Sequence, residues 1–348
     1  MRSIFTYVPT FLCMIVGTHT ASAQDALIPI DEKYFAKDIE DLVVDLGDAD
    51  VIINTSSEST LHVQVVVDGH DLDQAYEYFE KQNYSVNLDQ LTLRIISDPD
   101  RSYGSSSSWR NSTDIEVIMT MPSDIPITLR ISDGDLNIDD LTADALIQTS
   151  DGDISIGSIT GDLIRIQTSD GDIDAELLNS SAITVKTSDG DLSLGTLMGD
   201  SIRLQSSDGD IMIDLATGNI EGKTSDGDFE IYELISAKSE LRTSDGEINI
   251  SQVTGNLIVS SGDGDIKLGL VNPDEVNVTV SDGDVQISLP FDLSATLDIY
   301  AEDISMNSYE NFSGDRDNTR IDGDLNGGGS IIRVRTSDGD VQLKRIDD

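Results

Sequence analysis

From residue 129 onward the apolar and polar positions of the chain repeat. Ile164, Ile166 and Thr168 lie seven, five and three places before Gly171, and Ile173, Ala175 and Leu178 lie two, four and seven places after it. One repeat later the same places hold Ile183, Val185, Thr187, Leu192, Leu194 and Leu197. Each trio alternates inside and outside, as a strand with one buried face does. The step from the third place before the glycine to the second after it is odd. The alternation therefore breaks across "SDGD", and a corner is predicted there. Asp-Gly suits a corner because glycine accepts positive φ and Asp bonds its own backbone. A second corner is expected further on, through "TG", "MG" or "NS".

The glycines of this motif are Gly134, Gly152, Gly171, Gly190, Gly209, Gly227, Gly246, Gly264 and Gly283, at steps of 18 or 19. A worn copy, "AEDISM", puts Glu302 where the next glycine is due, and "IDGDL" and "TSDGDV" bring Gly323 and Gly339. A fixed period over so many copies marks stacked repeats. One repeat cannot bury its own apolar trios, so successive copies must share a core and pair in parallel, ~4.8 Å apart. The prediction is an all-β chain, a single-stranded parallel β-helix (β-solenoid) of about 19 residues per rung, with two main strands in each. Thr149, Thr168, Thr187, Thr224, Thr243 and Thr336 recur three places before the glycine, with Ser206 and Ser261 substituting. They read as inward hydroxyls that tie the corner's backbone.

Residues 24–128 are less regular and read as a β-rich cap. "VVDLGDADVIIN" is a worn repeat, "SVNLDQLTLRII" a hairpin, "DIEVIMTMP" a strand ending at Pro122, and residues 71–82 a short amphipathic helix. "SYGSSSSWRNS" reads as a loop. The insertion around residues 307–322 and the tail "LKRIDD" are expected to protect the far end of the array, which spans 129–348.

The start of the chain changes the picture of where the protein works. Arg2, the apolar run "IFTYVPTFLCMIVG" and "ASA" before Gln24 read as a secretory signal over residues 1–23. Cys13, the single cysteine, lies inside it, so the mature chain is expected to hold no thiol. No second apolar run is long enough to span a membrane. The expected location is the periplasm or the extracellular space, and the expected form is a monomer. Net charge is −45. A surface that acidic repels nucleic-acid phosphates, so no nucleic-acid partner is expected.

With these residues in view, the chain resembles the bacterial "putative adhesin" domain-of-unknown-function family. Its members carry a signal peptide, a β-rich start and runs of "TSDGDI" or "TSSGDI". The resemblance covers roughly residues 40–345, and "IMTMPSDIPITLRISDGDLNI" is a characteristic transition. It implies a single-stranded β-helix, right-handed, while the partner is expected to be an envelope or extracellular one of unknown identity. It brings no catalytic residues.

The acidic corner is the candidate site. Asp170, Asp189 and Asp208 precede the glycine, and Asp172, Asp191 and Asp210 follow it. Carboxylates ~4.8 Å apart repel by about 1 kcal/mol in water and about 3.5 kcal/mol at an effective dielectric of 20. Ca²⁺ binds oxygen ligands and would offset this, and these six acids are the candidate ligands. The alternative is that turn chemistry selects Asp while water and salt screen the charge. Four places before the glycine stand Arg130, Gln148, Gln167, Lys186, Gln205, Lys223, Arg242 and Arg335, which face outward and could bridge to the corner acids. Catalysis is not expected. After the signal only His62 and His70 remain, and no cluster offers a general base or a zinc site. The leading expectation is thus a non-enzymatic binding or structural scaffold at the cell envelope. Its rival is a β-helix polysaccharide-processing enzyme, which would need aromatic and basic groups clustered in one groove.

Overall fold

The structure is a computed structural model that describes residues 26–69, 71–97, 113–306 and 311–346. The signal, His70 and the whole of the "SYGSSSSWRNS" stretch lie outside the described residues. The fold is all-β, one long and mostly parallel sheet, with a single α-helix among the described residues, at Leu72–Gln82.

The middle of the molecule is a stack of long strands, one per repeat: Ile154–Gln167, Ile173–Lys186, Leu192–Gln205, Ile211–Lys223, Phe229–Arg242, Ile248–Ser261 and Ile266–Val280. Each lies parallel to the next, so Ile154 sits beside Ile173, Ile173 beside Leu192, and Leu192 beside Ile211. The predicted trios are buried, and like residues stack on like. Fully burying one such side chain stabilises by about 1.5–3 kcal/mol, and every rung repeats the gain.

The second corner differs from expectation. Two separate strands are predicted per repeat, but each long strand runs through this bend and pairs with its neighbours on both sides of it. Thr160 pairs with Asn179 and Gly161 with Ser180 across it. Length differences between repeats are absorbed here. The register steps from Gly199↔Gly218 to Ile202↔Ile220, and Gly218 takes φ of +130°. Between Ser236↔Gly255 and Ser239↔Leu257 the same step recurs, with Gly255 at +94°.

One core position departs from the aliphatic pattern. Phe229 stands where other repeats have Ile, Leu or Val, and it is fully buried. Gly222 leaves the space for it: a Cβ there would meet the Phe229 ring at 2.9 Å and Leu241 Cδ2 at 2.7 Å. The large residue and the missing side chain compensate, which conserves core volume.

Both ends lay a rung down out of chain order. At the first end the worn repeat forms Asp41–Leu46, parallel to both Thr92–Ile96 and Ile127–Ile131, and Asp50–Thr55, parallel to both Thr113–Met121 and Leu136–Ile138. Antiparallel strands then close the edge. Thr60–Gly69 lies between Leu27–Phe35 and Thr113–Met121, and the hairpin Ser85–Asp89 with Thr92–Ile96 turns on Gln90 and Leu91, both at positive φ. The helix is started by Asp71, whose Oδ1 accepts the N–H groups of Asp73 and Gln74, and it buries Ala75 and Phe79.

At the other end the sequence expectation is corrected. Ser330–Thr336 and Val341–Arg345 pair directly with Ile266–Val280 and Val285–Leu289. Ala295–Tyr300 and Ile304–Met306, which come earlier in the chain, lie beyond them. "IDGDL" is no corner. It sits within Arg320–Leu325, a strand antiparallel to Ala295–Tyr300 and to Phe312–Arg316. The reason is legible afterwards: Arg320, charged and exposed, stands three places before Gly323, where the corners of the stack bury Thr or Ser or, before Gly134 and Gly283, Ile131 and Val280.

Candidate functional site

The acidic corner is built by stacking, and Thr187–Asp191 shows the form most of the corners take, Ile131 and Val280 replacing the hydroxyl residue before Gly134 and Gly283. Thr187 is buried, and its Oγ1 accepts the Gly190 N–H at 3.1 Å and donates to Ser169 O at 3.2 Å. The N–H groups of Ser188 and Asp189 both donate to Ser169 O, at 2.9 and 3.0 Å. The inward Thr column is therefore as expected. It supplies an acceptor for a buried amide that would otherwise cost about 1–3 kcal/mol.

The role of glycine is corrected. Gly190 and its counterparts are not among the glycines at positive φ. A Cβ on Gly190 would stand 2.0 Å from Gly171 O, and one on Gly171 would stand 2.0 Å from Gly152 O. Glycine is required because the backbones of successive corners nearly touch.

The acid after the glycine also has a backbone duty. The N–H of Asp191 donates to Asp172 Oδ1 at 2.8 Å, and that of Asp210 donates to Asp191 Oδ1 at 2.8 Å. The ladder starts in the worn repeat, where Asp50 Oδ1 accepts the Asp135 N–H at 3.0 Å, and reaches Asp340, whose N–H donates to Asp284 at 2.8 Å. Asp50 was not legible as a ladder member, although the "GDAD" around it carries the signal. Glu247 is the variant: its N–H joins the ladder on Asp228, while its longer carboxylate turns to Lys267 Nζ at 3.0 Å.

All six predicted ligands, Asp170, Asp172, Asp189, Asp191, Asp208 and Asp210, are exposed along this edge. Those after the glycine spend one oxygen on the next amide. Among the described residues no group of three or more His, Cys, Asp or Glu side chains is arranged to hold a metal ion.

The cations beside the corner behave differently from expectation. Lys223 and Arg203 both pair with Glu221 at 2.9 Å, Arg242 pairs with Glu240, and Arg335 pairs with Asp298. These partners lie on the same strand face, two residues away or on a neighbouring strand, and none is a corner acid. Hydrogen bonds from Lys223 and Arg203 hold the Glu221 carboxyl down at about 2. Strand alternation explains the choice: side chains two apart, or level on adjacent strands, share a face.

The described histidine, His62, is remote from the corner. His62 lies on Thr60–Gly69, where its Nε2 contacts Asp31 of Leu27–Phe35. No helix among the described residues is long and apolar enough to cross a membrane.

The fold and corner together define a class: parallel β-stacks of repeats whose turns are joined by hydroxyl and carboxylate ladders. The chain belongs to the family described as Toastrack DUF4097, whose model matches residues 39–232 and, in an overlapping second match, 212–344. No curated protein matches it. Among solved structures, a "putative adhesin" from Parabacteroides merdae is 13% identical at a TM-score of 0.44, covering 75% of this chain and 95% of its own. Another, from Bacteroides fragilis, is 13% identical at 0.32, covering 93% and 98%. A "putative lipid binding protein" from Parabacteroides distasonis is 14% identical at 0.36, covering 74% and 96%.

Proposed function

We propose that this protein is an exported, non-enzymatic, adhesin-like scaffold at the cell envelope, wound as a right-handed β-helix of about 19 residues per rung. One observation carries the reading. Two of the corner's repeated polar groups go into holding the stack: Thr hydroxyls cap glycine amides, and the Asp after each glycine caps an amide of the next rung. What remains for a partner is the exposed row of Asp before the glycines and the outward faces of the strands, which suit extended contact more than chemistry at a point. Fractionation of cells expressing the full chain, followed by N-terminal sequencing, tests export. The expected product begins at Gln24 outside the inner membrane, and an uncleaved cytoplasmic chain would refute it. Crosslinking and pull-down from the native envelope would then identify the partner. Turnover of envelope polysaccharides by the purified protein would refute the non-enzymatic reading.

A further inference from the structure

The two strand faces that flank the acidic corner carry opposite charge. On the stretch that follows the corner, the outward positions from Asp135 to Glu233 hold an acid on every rung and no Lys or Arg. Asp174, Glu176 and Asp214 are exposed there. On the stretch that precedes the corner, the places six and four before the glycine, from Thr128 to Gln205, hold Arg130, Arg165, Lys186 and Arg203 and no acid, while Asp144, Asp162 and Asp200 stand further off at the second bend. Register places Arg165 between Leu146 and Thr184, and Gln167 between Gln148 and Lys186. Arg130, Arg165 and Lys186 form no ion pair among the described residues, in a chain whose net charge is −45. Each face also exposes large apolar groups: Leu146 and Leu163, both 36% exposed, by the cations, and Met212 and Tyr232, at 40% and 58%, among the acids.

We propose that the cationic face docks on the acidic face of a second copy, so that copies join side by side into open-ended assemblies. Charge complementarity names the occupant, and the repeat sharpens it. Both faces are ruled by the same ~4.8 Å strand spacing, so cations one or two rungs apart meet acids one or two rungs apart without slippage. A face that meets a different face of its partner leaves both outer faces free, so growth does not close at a dimer. Contact over five rungs, roughly 24 Å by 17 Å, gives roughly 400 Å² per copy, short of the ~800 Å² of a standard interface. Association is therefore expected to be weak.

The test is analytical ultracentrifugation of the exported protein at micromolar to millimolar concentration. Concentration-dependent assembly is expected near 0.15 M salt, where the Debye length is about 8 Å and the net charges of the copies are screened beyond contact. It should fall away at 1 M salt, where the contacting charges are screened too. R165Q/K186Q should abolish assembly, and so should D174N/E176Q/D214N, with both variants melting as the parent does. Mixed together, the two variants should form a one-to-one dimer and nothing larger, because each retains one intact face. A parent that stays monomeric up to millimolar concentration overturns the proposal. So does assembly that ignores both variants, or a monomer that instead binds alginate through Arg165 and Lys186. None of these outcomes depends on whether the protein is an adhesin.

Discussion

Each repeat of the central stack makes two bends, and they are held in different ways. The acidic corner keeps its length and its glycine from rung to rung, and departs from the Thr or Ser, Gly and Asp pattern only at a few places such as Ile131, Glu247 and Val280. Its Thr, Gly and second Asp each answer a contact with the neighbouring corner. The second bend keeps the parallel ladder but varies in length and composition, and positive-φ glycines such as Gly218 and Gly255 appear there where a residue is missing. The contrast shows that repetition in sequence follows backbone proximity. Where adjacent backbones nearly touch, few residues fit; where they bend with room outside, many do.

The largest expected break is at the corner glycine. Gly190→Val would force a side chain against Gly171 O, 2.0 Å from the new Cβ, and should destabilise by about 4 kcal/mol or more. Deleting Ser181 at the second bend imitates the natural 18-residue step and should cost about 1 kcal/mol. Thermal melts of the two proteins check this, and equal losses would erase the distinction between the bends.

The next effect should come from the hydroxyl. Thr187→Val keeps the shape but removes the acceptor of the Gly190 N–H, for an expected loss of about 2 kcal/mol. Thr187→Ser should recover most of it, as Ser206 serves Gly209 in the same geometry. Denaturant midpoints of the two variants measure the difference.

A smaller effect separates the acid's oxygen from its charge. Asp191→Ala removes the acceptor of the Asp210 N–H and should cost about 1 kcal/mol, whereas Asp191→Asn keeps a side-chain oxygen and should melt close to the parent. The same Asn change at Asp172, Asp191 and Asp210 tests calcium. Because these carboxylates already serve the backbone, Ca²⁺ and NaCl at matched ionic strength are expected to raise the melting temperature alike. An extra rise with Ca²⁺ that vanishes in the triple Asn variant would instead establish a cation site on the ladder.

The smallest effect lies on the strand face. Glu221 has its carboxyl pKa lowered by Lys223 and Arg203 to about 2 from 4.5. A depressed carboxyl stabilises the fold above its unfolded pKa and loses that contribution as pH falls through the folded value. Glu221→Gln should therefore lower the melting temperature slightly at pH 7, with the deficit closing as pH falls from about 5 towards 2. A deficit that does not change with pH would show that the pair acts through packing and not charge.

The columns Ile164/Ile183 and Ile173/Leu192 determined from sequence alone that the chain is all-β and that its copies stack, because a period that returns every apolar residue to the same side leaves no other way to bury them. The inward Thr column, the hairpin, the helix over 71–82 and the strand ending before Pro122 were legible for the same local reasons. The tertiary structure decided the rest. Gly190 reads as a turn former from its neighbours in sequence, but its constraint comes from Gly171, 19 residues away. Asp172 reads as a charge, but its oxygen is used by an amide one rung on. The placing of Ser330–Thr336 inside Ala295–Tyr300 depends on which free edge each strand meets. Local pattern states which side of a strand is buried. Only the assembled stack states which backbone lies against it.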